Sequence, residues 1–224
     1  MIRRVLHRLR RAWHAARGAA SARWRSSRRR ALERRLAGKG IRKLNLACGG
    51  QKVPGFFGID LVEGADLRLD LASMDLPFTA SSLEAVVCMS AINYFTRPRA
   101  QHLVREMHRV LRAGGVCRVG VQDMKSLAER YVRGDREFFF QKLPDGRDRF
   151  EGPTLGDKFA AWFYGYAVGA HRCEYFYDFE SLAHLFREAG FGVVERKAFR
   201  ESRIAEVGLL DNRADQMFFL EAVK

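Results

Sequence analysis

Cys48-Gly49-Gly50, Asp60 and Asp70 stand at the ends of three short, mainly apolar runs, Leu44–Ala47, Phe56–Ile59 and Leu67–Leu69. A glycine pair lets the backbone approach a ligand closely. A carboxylate ending the second run can accept two hydrogen bonds from a ribose diol, and one ending the third can serve the exocyclic amine of an adenine. Short apolar runs bounded by turn residues read as buried strands of a parallel sheet. Ligands of such sheets bind beyond the carboxyl ends of the strands, where these residues lie. The pattern describes a nucleoside cleft.

The length of the first turn narrows the nucleoside. A dinucleotide needs its pyrophosphate seated on a helix N-terminus after the first strand. Only Gly49–Gly55, with Pro54 inside, separates the first two runs, too few residues for an ordinary helix. S-adenosylmethionine carries ribose and adenine but no phosphate, so a bare glycine turn suffices for it. The stretches LNLACGG, GID, DLASMDLPF and HRVLRAGG resemble those of class I S-adenosylmethionine-dependent methyltransferases. They are most similar to small methyltransferases of bacterial polysaccharide and cell-surface gene clusters, and the likeness runs from about Arg42 to Lys224. The resemblance implies a Rossmann-like α/β fold, with a mostly parallel seven-stranded sheet, short early crossovers and an antiparallel last strand.

The elements that must hold these residues follow along the chain. Leu83–Met89 reads as a fourth strand, Arg99–Arg112 as a helix stopped by Gly114-Gly115, and Val116–Val121 as the fifth strand. Met124–Val132 and Phe179–Ala189, the latter capped by Asp178, read as helices, and Gly192–Ala198 and Met217–Val223 as a closing strand pair. Between them, residues 133–177 form an aromatic-rich insertion, either a cover over the cleft or a helical unit packed on the sheet. Residues 39–224 are thus read as the methyltransferase domain and residues 1–38 as a basic amphipathic helical extension.

Charge divides the chain in the same place. The formal net charge is +14, yet Met1–Lys43 holds sixteen Lys or Arg and one acid, which leaves the remainder at −1. Basicity is therefore no argument for a nucleic-acid groove in the body. Ile2, Val5, Leu6, Leu9, Trp13, Ala16 and Ala20 follow helical spacing with arginines on the other face, which suits an anionic membrane surface. A solvated basic arm, a nucleic-acid tail and a transit peptide compete with that reading. A third role is open to Ser27–Ala37, which reads as a helix able to cover the sheet face that the short links leave bare. The four cysteines lack metal-ligand spacing and read as free thiols of a reducing compartment, with no metal site expected. No apolar run approaches the ~20 residues of a membrane span, and no secretory signal is visible, so a cytoplasmic place, peripheral to the membrane, is expected.

The cofactor-binding residues expected are Ala47, Cys48, Gly49, Asp60, Asp70, Leu71 and Ser90, with Leu71 offering its backbone amide to the adenine ring. The resemblance also shows departures. Ala47 replaces the usual first glycine of the turn. Relatives often carry His at the position of Ser90 and Glu-His at Asn93-Tyr94, so the mouth of the fourth strand here lacks both imidazole and acid. Asp123, His171 and Tyr94 are the candidate replacements for catalysis, against structural roles for each. The function expected is methyl transfer to a small-molecule or saccharide-linked acceptor. The rivals are a catalytically idle cofactor-binding scaffold and an RNA methyltransferase using the basic arm.

Overall fold

The structure, a computed structural model, describes residues 23–165, 167–168 and 171–224. Residues 1–22, most of the expected amphipathic stretch, lie outside the described residues. The chain is helical over residues 23–36 (α1), then enters β1 (Lys43–Leu46), β2 (Phe57–Asp60), β3 (Leu67–Arg68) and β4 (Leu83–Met89) with no α-helix between these strands. α2 (Arg97–Val110) and β5 (Leu111–Gln122) follow, then α3 (Met124–Val132), α4 (Arg136–Phe139) and α5 (Leu155–Tyr164). A small hairpin, β6 (Ala167–Val168) with β7 (His171–Arg172), leads to α6 (Phe179–Glu188), β8 (Val193–Lys197), α7 (Val207–Leu210) and β9 (Met217–Val223).

The main sheet has seven strands in the order β3-β2-β1-β4-β5-β9-β8. The first five pair in parallel, and β9 runs antiparallel to both β5 and β8. This is the expected Rossmann-like α/β architecture. β4 is central and buried along almost its whole length, which is why it reads as a continuous apolar run rather than an alternation. α2 turns Leu103, Val104, Met107 and Val110 to one face of the sheet, and α6, capped by Asp178 on the Ser181 amide, turns Leu182, Leu185 and Phe186 to it.

α2 ends earlier than the glycine pair suggested. Leu111 already adopts extended backbone and pairs with Leu83, and Gly114 and Gly115 hydrogen-bond to Lys224. Tertiary pairing has drawn the glycines into the strand.

α1 covers the part of that face where no crossover helix follows β1, β2 or β3. Leu36 is buried in the main core cluster with Leu44, Leu46 and Leu69, Leu32 packs against it, and Glu33 accepts a hydrogen bond from Thr79. Gly38, at φ +81°, then takes the left-handed conformation that ends a helix. Leu36→Ala is expected to cost about 2–3 kcal/mol of stability, read as a lowered urea midpoint. An unchanged midpoint would make α1 a decoration.

The insertion has a core of its own. Phe138, Phe139, Phe150 and Trp162 pack with Leu127 of α3, and Phe159, Phe163 and Phe176 pack around them. These aromatics face one another rather than the cleft. Lys158 is buried among them, donating to Asp148 and to the Phe150 carbonyl.

Candidate functional site

Beyond the carboxyl ends of β1–β4 lies a cavity of about 280 Å³, lined by Ala47, Gly49, Asp60, Asp70, Leu71, Ser90 and Tyr94 among others. Leu61, Val62, Leu69 and Phe95 supply apolar wall. Its floor is set by backbone geometry. The Ala47 amide donates to the Ile59 carbonyl at 2.7 Å, and Ala47 (φ +53°), Gly49 (+59°) and Gly50 (+78°) curl the chain back over the strand tips. Ala47 therefore occupies a conformation that disfavours a β-carbon, as does Ser90 (+54°) at the tip of β4 and Arg213 (+51°) in the loop before β9. Among the described residues, three of the five non-glycine residues with positive φ line this cavity, so backbone strain concentrates where a ligand would lie.

Asp60 is held before any ligand arrives. Its Oδ2 accepts the Gly49 amide at 2.7 Å, and its Oδ1 accepts the Leu61 and Val62 amides at 2.5 and 3.2 Å. A carboxylate offers about four acceptor positions, so Oδ2 keeps one, and the long Val62 contact is the one a second hydroxyl would displace. Asp70 closes its own turn, accepting the Ala72 amide at 2.8 Å and the Ser73 hydroxyl at 2.9 Å. Arg99 of α2 clamps that turn from below through the Leu71 and Met74 carbonyls.

A second, more polar hollow of about 170 Å³ joins the first at Ala47, Gly49, Met89, Ser90 and Arg213, and adds Asn45, Cys48, Gln51 and Asn212. Leu44 and Leu46 face the main core, so Asn45 faces the other side of β1. Asn45 is 4% exposed, and it borders this hollow. Its amide can both donate and accept, so it suits a polar ligand group placed in the hollow. Sequence reasoning missed Asn45 and Arg213; a polar residue inside the run Leu-Asn-Leu was the available signal for the first.

The expected residues separate here. Ala47, Gly49, Asp60, Asp70, Leu71, Ser90 and Tyr94 line the first cavity, and Cys48 lines the second. Asp123 lines neither. It caps α3 through the Lys125 and Ser126 amides and pairs with Arg196 at 2.8 Å, around a separate hollow that includes Lys125 and Gln216. His171 lies in β7, and its side chain falls outside the described residues. Tyr94 and Asn93 hydrogen-bond Cys173, which ties the end of the insertion to the mouth of β4. His102 is engaged with Asp75 at 2.7 Å, and His108 packs edge-on against Phe191. Burial pushes the Cys48 thiol up and the Cys88 thiol up to about 12, so neither is a nucleophile near neutral pH. Among the described residues no cluster of His, Cys, Asp and Glu could hold a metal ion.

The family model described as a methyltransferase domain matches residues 56–119, from the start of β2 into β5. That match supports S-adenosylmethionine as the cofactor, and the cavity fits it. Two carboxylates face a nucleoside-sized space, and no helix begins at the β1 turn to seat a diphosphate. No curated protein sequence matches the chain. Solved structures do. An S-adenosylmethionine-dependent methyltransferase from Thermotoga maritima is similar at 18% identity over 82% of each chain, TM-score 0.46. One from Mesorhizobium loti is similar at 18% over 86% of this chain and 96% of its own, TM-score 0.47. Phosphoethanolamine N-methyltransferase 2 of Haemonchus contortus, solved with S-adenosyl-L-methionine, is similar at 14% over 88% of this chain and 52% of its own, TM-score 0.47.

Proposed function

We propose that this protein is an S-adenosylmethionine-dependent methyltransferase acting on a small-molecule or saccharide-linked acceptor, at the cytoplasmic face of a membrane. The observation that carries the reading is the pair of strand-tip carboxylates, Asp60 and Asp70, on one cavity whose first turn has no helix behind it. Asp60 takes the ribose diol, Asp70 the adenine amine, and the Leu71 amide the ring. Ala47, Cys48 and Gly49 form the floor, and Ser90 borders the sulfur. Arg213 takes the carboxylate of the methionine end, and the Asn45 amide takes its neighbouring polar atoms in the second hollow.

The bound cofactor supplies a methyl group already activated on a sulfonium, which passes to the acceptor and leaves S-adenosylhomocysteine. The chain's task is then alignment and exclusion of water. Among the described side chains, Tyr94 is the catalytic candidate that lines the cavity.

Arg213→Ala separates the two ends of the cofactor. It is expected to weaken S-adenosylhomocysteine by about ten- to a hundredfold, the loss of a charge-assisted pair, while 5′-methylthioadenosine, which lacks the amino-acid end, binds as before. Calorimetry with both ligands reads this directly. Tight NAD binding without a response to S-adenosylmethionine would reject the whole reading. A cofactor-binding protein that transfers nothing is the second reading. It is favoured by the cavity lining, where the only carboxylates are the two at the nucleoside end and no imidazole appears among the described residues. Transfer of methyl label to a cell extract decides between them.

A further inference from the structure

We infer that the amino-terminal half of α1, together with Leu61 and Arg68 beside it, is a docking face for an anionic lipid bilayer, and that the cleft mouth then opens toward the headgroups, so that the acceptor is borne by a lipid. The second part rests on the methyltransferase reading; the first does not.

Residues 23–36 contain seven arginines and one acid. Leu32, Glu33 and Leu36 face the body, while Arg23, Arg25, Arg28, Arg30, Arg34 and Arg35 are exposed. Trp24 is 57% exposed, with the Arg28 guanidinium 5.2 Å from its ring centre. These two residues share a groove with Leu61, Arg68, Leu69 and Asp70, and Leu61, Leu69 and Asp70 also line the nucleoside cavity. α1 therefore begins at the carboxyl edge of the sheet, beside the cleft, and runs down to the start of β1. The face it offers there is an exposed indole and the exposed Leu61 side chain, bordered by Arg28 and Arg68, with Arg23 and Arg25 exposed on the same first turn of α1.

That composition fits one kind of surface. Indole and leucine suit the boundary of the hydrocarbon, and arginines suit anionic headgroups. Residues 1–22 add six more arginines and no acid. A nucleic-acid track would need cations continuing across the cleft. Residues 44–224 are net negative, and the strand-tip carboxylates Asp60 and Asp70 line the cleft itself, so no cationic track continues from α1 across the site.

The test uses the full chain. Flotation with vesicles of phosphatidylcholine containing phosphatidylglycerol should show binding that falls with salt and is lost in pure phosphatidylcholine. R25E/R28E should lose well over tenfold, since each arginine removed is worth about fivefold, and W24A should lose affinity without changing the salt slope. R187E, a charge reversal on α6 away from this face, should bind as wild type. S-adenosylmethionine calorimetry on the same variants shows that they are folded, and it fails on its own if the cofactor reading is wrong. Docking is overturned by equal binding to neutral and anionic vesicles, by unchanged binding of R25E/R28E, or by preference for single-stranded RNA over vesicles. Methyl label should enter the organic phase of a cell extract; label confined to water-soluble products overturns the lipid-borne acceptor.

Discussion

Replacing Asp60 with alanine is expected to lower affinity for S-adenosylmethionine by about two to four orders of magnitude. Two ribose hydroxyls donating to an ionised acceptor are worth about 1.5–3 kcal/mol each, and 1.4 kcal/mol is a factor of ten. The same carboxylate also holds the Gly49 amide, so its removal loosens the turn that floors the cavity and adds to the loss. Asp60→Asn distinguishes the two contributions. The amide keeps one acceptor oxygen, which can hold the turn or a hydroxyl but not the full set, so its affinity should fall between those of wild type and alanine. Thermal stability should change little in either variant, because the groups released lie at the open edge of the sheet. Titration calorimetry that finds Asp60→Ala within fivefold of wild type would remove the nucleoside assignment.

The parts of this site that a sequence shows are those carried by local geometry. β4 and β9 could be read to the residue because strands buried on both faces are apolar along most of their length, and α3 because its caps are local. The glycine turn and the two strand-tip aspartates belong to the same class, since each follows its strand directly. What could not be read depends on distant pairing. Gly114 and Gly115 enter β5 only because Lys224 pairs with them. Asn212 and Arg213 reach the cavity because a segment about 90 residues beyond Asp123 folds back across the sheet. Asp123 illustrates the opposite case. A strand-end aspartate and a helix cap look alike in sequence, and only the Lys125, Ser126 and Arg196 contacts show which job its oxygens do here.

The segment that carries Arg213 depends in turn on a buried cation. Arg118 of β5 is fully buried, on the sheet face opposite α2 and α6. It grips Asp211 with two bonds, at 2.8 and 2.6 Å, donates to the carbonyls of Ala198 and Glu201, and stacks on Phe219. Glu221 lies 3.5 Å away and is itself held by Arg203 at 2.8 Å. These bonds fasten residues 198–211 over a face that has no crossover helices from the first strands. Arg118→Met leaves the Asp211 carboxylate buried with only the Arg200 amide as partner, a change expected to cost about 3–5 kcal/mol and to lower the melting temperature by roughly 10 °C or more. Replacing both residues, as Arg118→Met with Asp211→Leu, should recover much of that stability, since a buried pair exchanged for apolar groups of similar volume is often close to neutral. Cofactor affinity should not recover with it, because the two bonds that set the position of Asn212 and Arg213 are gone. If the double variant regains both stability and affinity, the buried pair only fills space; if it regains stability alone, Arg118 is the residue through which the sheet positions the amino-acid end of the cleft.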